Sequence, residues 1–270
     1  MWEGHPCRGS LVNLGFMGQW ATSKHQIIAH KGNSSEFPEN TKASVVSAIE
    51  LGCDVIEIDV STTKDGRSVA FHGPELDEMT SGRGKVSETN WDILKTLKVK
   101  SPHGNSSDER IPLVEELLTE HSHHTKWNLD LKAGLPNKNL VEKIKGLKIQ
   151  EKVIFSGLTV RNVKKIIVDY PGINVLVNLS KIDRIVLRLR LLDKFYIRFR
   201  FRSFKNHPTV IGINTNYRFL TDRIIRNVHE IGLELWVFTV DEEKEMNSLF
   251  AAKVDSVTTN RPLAMMQARQ

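Results

Sequence analysis

Glu57 and Asp59 stand two residues apart in the otherwise apolar run VIEIDV, and His72 closes the next apolar run, SVAFHG. Residues i and i+2 of a strand share a face, so the two acids point one way while Ile56, Ile58 and Val60 point the other. Two neighbouring carboxylates raise each other's pKa unless a cation lies between them, and an all-oxygen ligand set favours a hard ion such as Mg2+ or Ca2+. Between the runs, Asp65-Gly66 is the dipeptide typical of a two-residue hairpin turn. That turn would set Lys64 against Arg67, Thr62 against Val69, Ser61 against Ala70 and Asp59 against His72, bringing an imidazole to the acids. From this segment alone, the alternative is a pair of acids making ion pairs at a sheet rim.

Two further runs end in the same way. IIAHKG carries His30 and Lys31, and WNLDLKAG carries Asp130 and Lys132, again two apart and therefore on one face. The elements that must position these groups are legible around them. QIIAHK, VIEIDV, WNLDLK, KVIFSG, NVLVNL, TVIGINT, LELWVFTV and VDSVTTN are strand-like, and the spacers between them carry apolar residues at three- and four-residue intervals. Near-continuously apolar strands alternating with amphipathic helices describe a parallel sheet covered by helices, and eight such units predict a closed α/β barrel, the (β/α)8 or TIM barrel. Active groups of such barrels project from the C-terminal ends of the strands. The three clusters would then share one mouth, a metal-dependent site for an anionic substrate.

The chain has 270 residues, 40% of them hydrophobic, and a net charge of +6, which suits one barrel domain over residues 26–270 with an insertion at about 73–126. Asn40 is expected to cap the helix after the first strand, with Gly52 and Gly232 ending helices. No apolar run reaches the length of a membrane span. Two cysteines, Cys7 and Cys53, exclude a disulfide framework and point to a reducing, cytoplasmic compartment. Residues 1–25 read as a leader that packs on the barrel.

Between Lys181 and Lys205, nine Lys/Arg stand against Asp183 and Asp193. Ile182, Ile185, Leu189, Leu192, Tyr196 and Phe199 recur at three and four residues, which predicts a helix with one buried stripe, although YIRFRFR alternates as a strand does. The plain reading is a barrel helix with a solvated basic face. The functional one is peripheral contact with an anionic membrane, where each Lys or Arg contributes about 1 kcal/mol. His121, His123 and His124 of HSHH read as solvated, and Trp91, Trp127 and Trp236 as core or rim packing.

The segment AHKGNSSEFPENTKASVVSAIELGCDVIEIDVSTTKDGRSVAFHG resembles the opening of the glycerophosphodiester phosphodiesterases, and the resemblance continues through LDEMTSGRGKV, IPLVEELL, LDLKAG, LWVFTVDEEKEM and VDSVTTNRP, over about residues 26–263. It implies a (β/α)8 barrel that hydrolyses glycerophosphodiesters to an alcohol and glycerol 3-phosphate with a divalent metal. By position, His30 and His72 match the family's acid/base pair; Glu57, Asp59 and Asp130 match its metal ligands; Lys132 matches a lysine on the substrate phosphate. Phe238 falls where many members have an aromatic residue against the glycerol. Lys31 replaces the usual phosphate-binding arginine, Gly73 a usual Asp, Glu78 a common Arg and Asp130 a more frequent Glu, departures that bear on substrate choice and metal preference. The rival readings are a lysophospholipase D- or sphingomyelinase D-like enzyme using the same mouth, and a non-catalytic barrel that binds phospholipid, or nucleic acid, through the basic segment. Retention of every catalytic group argues against the non-catalytic barrel; a small-molecule glycerophosphodiester is the expected substrate, the lysophospholipid or sphingomyelin alternative stays open, and no nucleic-acid partner is expected.

Overall fold

The computed structural model describes residues 25–102, 106–189 and 193–269. Cys7 and the expected leader, apart from His25, lie outside them. The strands are β1 (Gln26–Ala29), β2 (Val55–Thr62), β3 (Ser68–Ala70), β4 (Lys98–Lys100), β5 (Ser106–Arg110), β6 (Lys126–Leu131), β7 (Val153–Leu158), β8 (Asn174–Asn178), β9 (Val210–Asn216), β10 (Glu234–Phe238) and β11 (Ser256–Thr259). Eight of them, all but β3, β4 and β5, pair in parallel, and β1 bonds to both β2 and β11, which closes the ring. These eight are the eight runs read from the sequence. Ten helices accompany them among the described residues: α1 (Lys42–Glu50), α2 (Trp91–Leu94), α3 (Val114–His121), α4 (Lys138–Gly146), α5 (Val160–Asp169), α6 (Lys181–Arg188), α7 (Asp193–Arg200), α8 (Asp222–His229), α9 (Glu243–Ala251) and α10 (Pro262–Arg269). None of the described helices is long and apolar enough to cross a membrane.

The barrel has two cores because its strands bury both faces. Ile56, Ile58, Leu129, Phe155 and Val177 point outward into the layer shared with the helices. Inside, Ile28, Val55, Ile154, Leu176 and Trp236 pack together as an apolar floor. The excursion after β3 has a third, small core of Val69, Phe71, Leu76, Val86, Leu94, Val99 and Ile111. α3 belongs to the main core through Val114, Leu117 and Leu118, so the separate unit ends near Ile111.

Three local expectations are corrected. Thr41, not Asn40, caps α1, accepting from Ser44 N while Ser44 Oγ accepts from Thr41 N. The hairpin pairs Thr62 with Ser68, Ser61 with Val69 and Val60 with Ala70, one residue away from the two-residue-turn register. Its loop has three residues: Gly66 N donates to Thr63 O and Thr63 N to Arg67 O, with Gly66 at φ +78 after the turn. Asp65 Oδ1 accepts from Thr63 Oγ1 and from Trp91 N, so this loop is pinned to the excursion. Phe71, rather than His72, therefore lies beside Asp59, donating its N–H to Asp59 O. The third correction concerns residues 181–205, which are helical in both halves, α6 and α7. There Ile182, Ile185, Leu189 and Phe199 of the expected buried stripe are exposed, Tyr196 is half-buried and Leu192 lies outside the described residues.

Candidate active site

Two residues above each floor side chain, the same strand face carries a polar or aromatic group at the C-terminal mouth. Ile28 leads to His30, Val55 to Glu57, Ile154 to Ser156, Leu176 to Asn178 and Trp236 to Phe238. These groups, with His72, Asn128, Asp130, Lys132, Asn214, Thr239 and Thr258, line a cleft of about 290 Å³. Register sets the acids: β2 and β6 pair Glu57 with Asn128 and Asp59 with Asp130, and Lys132 follows Asp130 on the same face. Ligand oxygens of Glu57, Asp59 and Asp130 all lie within 4.8 Å of one another, a grouping able to hold a metal ion. Glu57 and Asp59 are only 4% and 1% exposed.

Charge is distributed unevenly over this set. Burial, then the Asp59 and Asp130 carboxylates, push the Glu57 carboxyl well above its usual range. For Asp59 burial acts the same way, but the Lys132 and Lys31 ammonium groups and hydrogen bonds from Lys132 and Asn40 outweigh it and hold the carboxyl low. Lys132 Nζ lies 2.5 Å from both Asp59 Oδ1 and Asp130 Oδ2, and although burial opposes its charge, the two acids raise its pKa. One ammonium thus serves two acids, and among the described residues Glu57 has none of its own. Asp130 Oδ1, Asn128 Oδ1 and Ser156 Oγ are buried with no hydrogen-bond partner among the described residues. Unpartnered oxygens beside a destabilised carboxylate fit a hard cation. Gly157 makes room for this arrangement: it sits at φ +75, and a Cβ there would collide with Asp130 Oδ1.

Histidines complete the mouth. His30 Nδ1 lies 2.6 Å from Asn260 Oδ1, and Asn260 Nδ2 donates to Asp241 Oδ2 at 2.8 Å. Because Asp241 can only accept, Asn260 must present its oxygen to His30, so Nδ1 carries the proton and Nε2, 3.9 Å from Glu57 Oε2, keeps its lone pair. Burial lowers the His30 pKa, partly opposed by the Asn260 bond. His72 is exposed and reaches the mouth from the loop after β3, with a ring nitrogen within 4.8 Å of carboxylate oxygens of Asp59 and Glu39. Asn260→Ala is expected to lower kcat/KM about tenfold or more, part of the roughly 10²–10⁴ supplied by a positioned acid–base group. Losing the bond that favours the imidazolium should also move the acid limb of the pH profile to lower pH, which a merely structural role would not do.

Of the eight residues expected at the site, seven gather around the cleft or its acids. Lys31 lies behind them: its ammonium bonds both Glu39 oxygens, at 3.0 and 2.9 Å, and stands 4.0 Å from Asp59 Oδ2, and it does not line the cleft. Asn40, expected as a cap, instead grips Asp59 twice, Nδ2 donating to Asp59 Oδ2 and Oδ1 accepting from Asp59 N, both at 2.9 Å. Its signal was its type, since asparagine tolerates the positive φ, +59, that aims the side chain there. Asn260 and Asp241 had no such signal. The HSHH histidines belong to neither metal-capable grouping among the described residues.

Residues 30–264 match the Glycerophosphoryl diester phosphodiesterase family. The glycerophosphodiester phosphodiesterase of Caldanaerobacter subterraneus subsp. tengcongensis is 29% identical over 251 residues, 88% of this chain and 95% of that protein. Glycerophosphodiester phosphodiesterase 1 of Homo sapiens is 32% identical over 100 residues, 36% of this chain and 30% of that protein. Among solved structures, an Oleispira antarctica phosphodiesterase in complex with the product sn-glycerol-3-phosphate has a TM-score of 0.70 at 24% identity, covering 90% of this chain and 96% of that one. The glycerophosphodiester phosphodiesterase of Agrobacterium tumefaciens str. C58 has a TM-score of 0.70 at 18% identity, covering 90% and 99%. Both share the barrel fold. Since the family match runs from the first mouth histidine to the last helix, this chain belongs to the glycerophosphoryl diester phosphodiesterase family.

Proposed function

We propose that the chain hydrolyses glycerophosphodiesters to an alcohol and glycerol 3-phosphate, using His30 and His72 as base and acid and Lys132 and Phe238 to hold the substrate. The observation that carries this reading is the convergence of Glu57, Asp59 and Asp130 within 4.8 Å in a cleft lined by both histidines, in a member of this family. A divalent ion on those three carboxylates, Mg2+ or Ca2+ by its all-oxygen donors, would draw charge from the phosphate and ease attack on it. Lys132 offers the phosphate a further positive group, and Phe238 an apolar face for the glycerol carbons. His30 Nε2, kept neutral by burial, takes the proton of the attacking hydroxyl, from water or from the glycerol itself. His72, on the open side, gives a proton to the leaving alkoxide, so the P–O bond that forms and the one that breaks each have a histidine. Lys31 acts at one remove, holding Asp59 charged and in place.

An adjoining cleft of about 360 Å³, sharing His72 and Lys132 and floored by Pro74, Val86 and Ala133, supports a second reading, a lysophospholipase D-like action on diesters with an apolar substituent. A panel of glycerophosphocholine, glycerophosphoethanolamine, glycerophosphoinositol, lysophosphatidylcholine and sphingomyelin, each with and without EDTA, tests both. Release of glycerol 3-phosphate from the first three is expected; turnover of lysophosphatidylcholine alone would select the second reading, and no turnover of any would overturn both. A reducing, cytoplasmic setting is proposed on the two-cysteine composition alone. The basic segment is proposed to meet an anionic membrane.

A further inference from the structure

Five of the nine large apolar side chains exposed among the described residues lie on α6 and α7 and the turn after α6: Ile182 (70% exposed), Ile185 (58%), Leu189 (65%), Phe195 (73%) and Phe199 (71%). α7 folds back on α6, with Tyr196 Oη and Arg200 Nε both donating to Asp183 Oδ1, while Arg223 Nε donates to Asp193 Oδ2. The segment's only two acids are thus buried in ion pairs, and its outer surface carries no carboxylate of its own. Each apolar stripe has a basic stripe one residue behind it. Lys181, Arg184 and Arg188 precede Ile182, Ile185 and Leu189; Lys194 and Arg198 precede Phe195 and Phe199, and Arg202 then lies 5.0 Å over the Phe199 ring. One residue turns a helix by about 100°, so apolar and cationic rows run side by side.

We infer that α6 and α7 form a ridge that seats the barrel on an anionic phospholipid bilayer, the apolar row entering below the headgroups and the basic row lying among the phosphates. Exposed apolar surface concentrated in this way marks an interaction site. The cations beside it face no acid of their own segment, and among the described residues only Lys194 of them is paired on the surface, with Glu230 at 3.1 Å; this excess of positive charge selects a negative lipid surface over a second copy of this basic chain. The ridge adjoins the mouth. α6 begins three residues after Asn178, which lines the cleft, and Arg188 lies 5.7 Å over the ring of Phe219, in the turn that follows β9 at the same rim. Docking by this ridge sets the cleft at the lipid–water boundary. That consequence rests on the proposed reaction; the binding does not.

Co-sedimentation with vesicles of phosphatidylcholine alone, and of equal parts phosphatidylcholine and phosphatidylserine, tests the inference. The chain should pellet with the anionic vesicles only. Arg198→Gln with Arg202→Gln should weaken that binding about thirtyfold, at roughly fivefold for each basic residue. Phe195→Ser with Phe199→Ser should abolish it, and both pairs should keep the parent's circular dichroism and its turnover of glycerophosphocholine in solution. Equal binding to both vesicle types, no binding to either, or undiminished binding by both variants overturns the inference. So does a dimer in sedimentation equilibrium that the Phe pair dissociates while vesicle binding persists. If glycerophosphocholine is not hydrolysed, the reaction fails and the lipid binding stands or falls alone.

Discussion

Asp59→Asn and Glu57→Gln are each expected to reduce turnover of glycerophosphocholine on the order of a thousandfold without unfolding the barrel, and exhaustive chelation of the parent protein to have a similar effect that added Mg2+ or Ca2+ reverses. The charge that a divalent ion withdraws from a reacting phosphate is worth several kcal/mol, and about 4 kcal/mol corresponds to that factor. Both substitutions keep the side-chain volume. In Glu57→Gln the amide oxygen can still accept from Lys31 N, as Glu57 Oε2 does at 2.8 Å. Glu57→Gln should hold or gain stability, because burial and two acidic neighbours disfavour the charged form of Glu57, whereas Asp59→Asn takes a buried carboxylate away from Lys132 and Lys31 and should lower the melting temperature of a barrel that still folds. Melting followed by circular dichroism beside the rate measurement separates lost chemistry from lost fold. Full activity after chelation, or in either variant, would remove the metal from the mechanism.

The same acids show why part of the site can be read from the sequence. A strand fixes the relation of i to i+2, so Glu57 with Asp59 and Asp130 with Lys132 declare a shared face before any tertiary contact is known. Eight β-branched runs between amphipathic spacers likewise imply the ring, because a strand buried on both faces must be apolar on both. Counting by two from the floor residues Ile154 and Leu176 reaches Ser156 and Asn178, so those cleft residues were within reach of the same rule. Loop geometry was not. Asp65-Gly66 suits a two-residue turn, but the Thr63 hydroxyl and the contact of Asp65 with Trp91 N favour three residues, a choice made partly by a segment 26 residues away. Asn260 reaches His30 across 230 residues, and only barrel closure brings them together. In α6 the period was right and the direction wrong: periodicity marks an apolar stripe, and what covers it depends on where the helix docks. Here the inward side is Leu187 with the buried Asp183 cluster.

His30→Ala and His72→Ala should each cost about 10²–10⁴ in turnover, the range for a positioned acid or base, and they should deform the pH profile in opposite ways. A base must be unprotonated and an acid protonated, so the parent's kcat/KM should fall on both sides of an optimum. Burial lowers the His30 pKa, so the acid limb should lie below the value of about 6.5 for an ordinary histidine, with activity lost as pH falls through it. His30→Ala should flatten that limb and leave the alkaline one. His72→Ala should do the reverse, and its defect should shrink on a phosphodiester with a nitrophenol leaving group, which departs without being protonated. His30→Ala should show no such rescue, because its missing task is at the attacking oxygen. Near-normal turnover by either variant would break the pairing. Rescue of His30→Ala instead of His72→Ala would exchange the roles, placing the acid on the half-buried, Asn260-bound ring and the base on the exposed one.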